Sequence, residues 1–96
     1  MSIHELLQAK RDEILRIAER HGACNVRVFG SVATGAAVET SDIDFLVSTR
    51  GETSPWFPAG LAQDLEALLV RKIDVVTENG LYWLLRRRIL RQARPL

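Results

Sequence analysis

The sequence predicts an α/β fold of the α+β kind, a small mixed β-sheet flanked by helices in two or three layers, in a single domain over residues 1–96. Three observations carry that expectation. Apolar residues recur at helical spacing over residues 2–21 and again from Leu61 to about Arg71. Three short segments rich in β-branched residues, 25–29, 43–48 and 73–77, alternate with the helical stretches. No internal repeat or second composition class divides the chain.

Each element has a local reason. Ser2 followed by Glu5 fits a capping box, and Ile3, Leu6, Leu7, Ile14, Leu15 and Ala18 form the apolar stripe of one helix over 2–21, with Gly22 as its stop. Val26 and Val28 alternate with Arg27 and Phe29, a strand that leads into Gly30. Residues 30–41 hold two glycines and small side chains, and read as a short helical turn and loop. The 43–48 strand is apolar enough to be buried on both faces except where acids sit. GETSPWFP, residues 51–58, is the most linker-like stretch, and Pro58 is tolerable in the first turn of the helix marked by Leu61, Leu65, Leu68 and Leu69. Ile73–Thr77 is the third strand, Asn79-Gly80 a turn, and Leu81, Leu85 and Ile89 start a last helix that ends before Pro95.

Composition narrows the function classes. With 47% apolar and 26% charged residues the chain is expected to pack a core. A formal charge of +1 is too small for a general nucleic-acid or membrane field, so no direct nucleic-acid binding is expected. No apolar stretch approaches the roughly 18 residues of a membrane span, and MSIHELLQAKRDE is charged and helical rather than a signal peptide. The single cysteine, Cys24, permits no internal disulfide, and the expected compartment is the cytoplasm. Arg86, Arg87, Arg88, Arg91 and Arg94 crowd the C-terminus, as a solvated helix face or as a partner or nucleotide surface. Trp56, Phe57, Tyr82 and Trp83 read as core or as an exposed partner surface, while His4, His21 and Cys24 read as ordinary surface or core residues.

The stretch that carries chemistry is GSVATGAAVETSDID, residues 30–44. In a strand the side-chain period is two, so Asp42 and Asp44 project from one face with Cα atoms roughly 6.5–7 Å apart. Two such charges about 4 Å apart repel by roughly 4 kcal/mol at an effective dielectric near 20, and a divalent cation between them removes that cost. Asp74 repeats the pattern as a lone acid in an otherwise apolar strand, so that neighbouring strands would bring three carboxylates together. An all-oxygen set with no His or Cys favours magnesium, with manganese possible, over zinc. Gly30 permits a sharp turn at the strand end, and Ser31 opening a helix offers amide and hydroxyl to a phosphate. The set describes a site for a metal-bound nucleoside triphosphate.

Other motifs fail. Gly30 and Gly35 have P-loop spacing, but Ala36 and Ala37 replace the Lys and Ser/Thr. An EF-hand loop from Asp42 would need acids where Leu46 and Thr53 stand, no GxGxxG occurs, and neither histidine suggests a Ser-His-Asp arrangement. Turn and strand-start roles for Asp42 and Asp44, and a turn plus N-cap for Gly30-Ser31, are the structural alternatives.

Gly30-Ser31, ten intervening residues, then Asp42-x-Asp44, with Asp74 in RKIDVVT as third acid, resembles the signature of the DNA polymerase β-like nucleotidyltransferase superfamily. SDIDFLVS and the ending ILRQARPL are similar to its minimal nucleotidyltransferases, the MNT domain proteins, over nearly the whole chain. Two departures are Thr34, where many relatives carry arginine, and Val70, where a glycine commonly precedes the Arg-Lys pair. The first bears on the phosphate contacts, the second on how a helix ends.

The resemblance implies a palm-like nucleotidyltransferase fold and magnesium-dependent transfer of AMP from ATP to a hydroxyl. Asp42 and Asp44 would hold two metal ions, Asp74 would help bind one and act as general base, and Gly30 and Ser31 would grip the terminal phosphates. It further implies an antitoxin whose acceptor is a helical HEPN-domain RNase toxin. A non-catalytic module that neutralises a HEPN partner by occlusion is the alternative, and a transferase acting on a small molecule such as an antibiotic is the weaker third.

Overall fold

A computed structural model describes residues 2–38 and 41–96. Positions 39 and 40 of the expected 30–41 loop lie outside the described residues. The chain runs α1 (Ile3–Ala9), α2 (Arg11–Arg20), β1 (Ala23–Phe29), α3 (Ser31–Thr34), β2 (Ile43–Thr49), α4 (Ala59–Leu69), β3 (Ile73–Thr77), a 3-10 turn (Glu78–Gly80), α5 (Trp83–Gln92) and β4 (Arg94–Pro95). One mixed sheet of order β3-β2-β1-β4 forms, with β2 and β3 parallel and β1 antiparallel to both β2 and β4. This is the mixed α/β arrangement the hydrophobic periods predict.

The parallel pair follows from α4, which carries the chain from the end of β2 back to the start of β3. Alternation along β2 turns Ile43, Phe45 and Val47 to one face, where all three are buried against Ile14, Ile17 and Ala18 of α2 and Leu61, Leu65 and Leu69 of α4. The opposite face of β2 carries Asp44, Leu46 and Ser48. Leu46 is fully buried yet lies outside the main core cluster, so the two faces have separate surroundings. No helix among the described residues is long and apolar enough to cross a membrane.

Four local features depart from the periodic reading. The expected single helix over 2–21 is two, meeting at Lys10 (φ −104°, ψ 9°). The stripe would place Lys10 inward there, and its ammonium cannot fill a core slot. The first strand begins at Ala23 rather than Asn25, because Ala23 and Cys24 already pair with Thr49 and Ser48, and Asn25 (φ 49°) sits at the register shift that follows. The last helix starts at Trp83 rather than Leu81, and its end returns as β4, whose Arg94 and Pro95 pair with Val28 and Arg27. The Ser2 cap is as expected, with the Glu5 amide donating to Ser2 Oγ at 3.1 Å.

Val70 ends α4 in the left-handed region (φ 54°, ψ 43°) with its side chain in solvent. A β-branched residue is strained there by roughly 1–2 kcal/mol, and no packing contact compensates. Val70→Gly is therefore expected to raise stability by about 1 kcal/mol, seen as a thermal midpoint about 4–8 °C higher. An unchanged or lower midpoint would show that the αL strain has been misjudged.

Candidate active site

The acid pair is set by strand register. β2 and β3 run parallel with Asp44 opposite Asp74, so the two carboxylates leave the same face of adjacent strands about 4.8 Å apart at the backbone. The amide of Ile43 donates to the carbonyl of Lys72 at 3.0 Å, which fixes that register at its first rung. Asp42 stands one residue before β2 and is exposed. Just before it, the Val38 amide donates to Ser41 Oγ and the Ser41 amide to the Val38 carbonyl, each at 2.9 Å.

The glycine comes to the acids from the other neighbour. Antiparallel pairing sets Phe29 of β1 opposite Asp44, so the chain leaves β1 beside that carboxylate. Gly30 then adopts φ 69°, ψ −145°, and a Cβ built on it would lie 2.6 Å from Asp44 Oδ2. The backbone conformation favours glycine, and any side chain there would push the Asp44 carboxylate aside. Ser31 opens α3, whose Val32 and Ala33 rest on the core and whose first turn presents amides ahead of its first internal bond, from Thr34 to the Gly30 carbonyl at 3.1 Å. Thr34 does not replace an arginine, because its hydroxyl donates back to the Gly30 carbonyl at 3.2 Å.

Electrostatics mark the same point. Burial, then the charge of Asp74, then that of Asp42 push the Asp44 carboxyl above its ordinary value. Among the described residues no cation forms an ion pair with any of the three acids. The structure thus places Asp44 and Asp74 side by side, with Asp42 near enough to act on Asp44. Among the described residues, however, no three acid, histidine or cysteine side chains are drawn into a closed ion cage. Asp42 and Asp74 are exposed and Asp44 half-buried. An oxygen-only donor set carrying unneutralised charge fits a hard divalent cation with its own waters, the usual preference of magnesium.

Two further polar clusters escaped the sequence reading. Glu78, just past β3, accepts from Arg27 Nη2 at 2.9 Å and Ser48 Oγ at 3.2 Å, and its own carbonyl accepts from Arg86 Nη1 at 2.6 Å. The hydrogen bond from Arg27 and then that from Ser48 hold the Glu78 carboxyl below its ordinary value. Arg27, Ser48 and the acids share one sheet face by the period-two rule, and the polar alternation in β1 was the available signal.

His21 corrects the expectation of an ordinary residue and of no Ser-His-Asp arrangement. Its Nε2 meets Asp64 Oδ2 at 2.6 Å and its Nδ1 meets Ser54 Oγ at 2.5 Å. A carboxylate can only accept, so Nε2 donates to Asp64, and in the neutral ring Nδ1 then accepts the serine hydroxyl. With the Ser54 amide on the His21 carbonyl at 3.1 Å, the chain pins the 51–58 loop beyond the C-terminal end of β2, whereas the acids stand at its N-terminal end. It is a clasp for the loop, built from residues far apart in sequence.

The raised Asp44 carboxyl has a signed consequence. An acid that holds its proton more tightly when folded costs stability at neutral pH, and that cost is relieved as pH falls toward the unfolded value near 3.9. Without metal, Asp44→Asn is expected to melt higher than wild type at about pH 7 and to lose that advantage by about pH 4. Parallel thermal melts across that range check it; a constant difference would show that Asp44 is not repelled.

Residues 11–96 match the nucleotidyltransferase domain family. A Methanocaldococcus jannaschii protein assigned by name to the protein adenylyltransferases is 37% identical over 93 residues, covering 97% of this chain and 96% of its own. Protein adenylyltransferase MntA of Thermococcus cleftensis is 34% identical over 91 residues, covering 95% and 89%. A solved structure described as a minimal nucleotidyltransferase superposes with a TM-score of 0.85 at 46% identity, covering 100% of this chain and 97% of that one. The fold also matches, with a TM-score of 0.68 at 21% identity over 97% of this chain and 71% of the other, a complex of a tri-AMPylated Shewanella oneidensis HEPN toxin with its MNT antitoxin. The paired acids, the glycine turn beside them and these likenesses converge: the chain belongs to the nucleotidyltransferase family, among its minimal, MntA-like members.

Proposed function

We propose that this chain transfers AMP from ATP to a hydroxyl of a partner protein, a HEPN-domain RNase toxin that it thereby neutralises. The observation that carries the reading is the register pairing of Asp44 with Asp74, together with a glycine turn at which an added Cβ would meet the Asp44 carboxylate. The protein adenylyltransferase names of relatives at 37% and 34% identity support the reaction class, and the fold shared with an MNT antitoxin in complex with an AMPylated HEPN toxin supports the partner.

In this reading the amides of the first α3 turn and the Ser31 hydroxyl receive the terminal phosphates. Asp42, Asp44 and Asp74 would hold two magnesium ions, which when bound supply charge neutralisation for the attacking and leaving oxygens. The acceptor oxygen attacks the α-phosphorus, the bond to the bridging oxygen of the β-phosphate breaks, and pyrophosphate leaves. The Asp74 carboxylate, exposed on the outermost strand, takes the proton from the acceptor hydroxyl. Gly30 keeps the phosphate turn against the acids. Because Thr34 supplies no cation, neutralisation of the triphosphate rests on the metal and the backbone amides.

Incubation with α-labelled ATP, magnesium and a purified HEPN-domain toxin is expected to put label on the toxin, at a rate about a hundredfold or more lower in Asp42→Asn, Asp44→Asn and Asp74→Asn. Toxin neutralised equally by wild type and all three variants, without label, would instead establish occlusion. A binding arm needs no acceptor: magnesium with a non-hydrolysable ATP analogue should raise the thermal midpoint of wild type and leave that of Asp44→Asn where it was. In Gly30→Ala the added methyl displaces the Asp44 carboxylate, so labelling should fall about as far as in the acid variants.

A further inference from the structure

The C-terminal helix stands apart from the rest of the molecule in charge and in packing. Residues 79–96 contain five arginines and no acid, while residues 1–78 carry eight lysines and arginines against twelve acids. None of the residues of α5 is buried. The helix is tied to the sheet through Arg86, whose guanidinium binds the carbonyl and carboxylate of Glu78. That leaves Arg87, Arg88 and Arg91, and among the described residues no carboxylate comes within ion-pair distance of them.

Beside these charges the start of the helix exposes large apolar side chains in succession: Tyr82, Trp83 at 73% exposure, Leu84 at 59%, and Leu85. A shallow groove of about 530 Å³ runs along the helix between Trp83, Arg86, Arg87, Leu90 and Arg91. Trp83, Arg87 and Arg91 follow one another at four-residue steps, each about 6 Å further along the axis. The surface is therefore an aromatic and aliphatic floor with a cationic rim, in the residue types that dominate protein interfaces.

We propose that this face of α5 docks an amphipathic helix of a partner protein, one whose apolar stripe is flanked by aspartates and glutamates. Charge selects that occupant. A second copy using the same face would set arginine against arginine. Single-stranded RNA would satisfy the arginines and stack on Trp83, but Leu90 in the groove and Leu84 beside it offer neither stacking nor hydrogen bonds. A leucine-striped acidic helix satisfies both halves of the surface at once, laying its stripe on Trp83 and Leu90 and its carboxylates against Arg87 and Arg91. The proposal concerns binding alone and stands whether or not AMP is transferred.

The test uses the whole chain and a fluorescein-labelled synthetic helix with a leucine stripe bordered by glutamates, a scrambled peptide of the same composition, and a labelled oligouridine, all followed by anisotropy. Saturable binding of the patterned peptide is expected, weakened about tenfold or more by scrambling, by Trp83→Ala and by Arg87→Glu with Arg91→Glu, and retained in Arg87→Lys with Arg91→Lys. Arg50→Glu, an exposed charge at the end of β2, should leave binding unchanged. Absence of saturable binding, equal binding of the scrambled peptide, or tighter binding of the oligouridine would each overturn the proposal.

Discussion

Like charge held in register is the constraint around which the molecule is arranged. Asp44 and Asp74 face the same way from adjacent parallel strands, with Asp42 one residue before the sheet, and nothing among the described residues neutralises them. Such a cluster is tolerated because the other face of the same strands is so well buried. Ile43, Phe45 and Val47, alternating with the acid, are at most 1% exposed, and Ile73 beside Asp74 is 3% exposed. Apolar burial on one side of β2 and β3 thus offsets an electrostatic cost on the other, at roughly 25 cal/mol per Å² removed from water. A proton on Asp44 or a cation beside the cluster relieves that charge.

Two positions with positive φ show how differently the chain treats strain. At Gly30 conformation and space agree, since a positive φ disfavours a side chain and one built there would displace the Asp44 carboxylate. At Val70 the same sign of φ is imposed on a β-branched residue at an exposed helix end. The first is tied to the site and the second only to how α4 stops, so relaxing them has opposite meanings for function.

What could be read in the sequence is what local periodicity encodes. The two-residue alternation of SDIDFLVS predicts Asp42 and Asp44 on one strand face, of which β2 includes Asp44 while Asp42 stands one residue before it, and β-branched enrichment located all three main strands. A hard divalent cation such as magnesium and a nucleoside triphosphate are expectations from the oxygen-only acids and the Gly30-Ser31 turn, whereas AMP transfer and the HEPN partner come from the family likeness and not from spacing. Features that depend on pairing between distant positions were not legible. The clasp of His21 with Ser54 and Asp64 joins residues 33 and 43 positions apart, and the Arg27–Glu78 contact spans 51. The short β4 strand and the bend at Lys10 were also missed, the first because a two-residue strand has no period and the second because the apolar stripe keeps its phase across the bend.

The order of the sheet gives the paired acids unequal freedom. Asp44 rides on β2, bonded to a strand on either side, whereas Asp74 rides on β3, which has a strand on one side only. The inner carboxylate is a fixed anvil and the outer one a compliant jaw. In the function proposed above, adjustment to an arriving ligand would fall on the rim of the sheet, and the interior on which the fold depends need not yield.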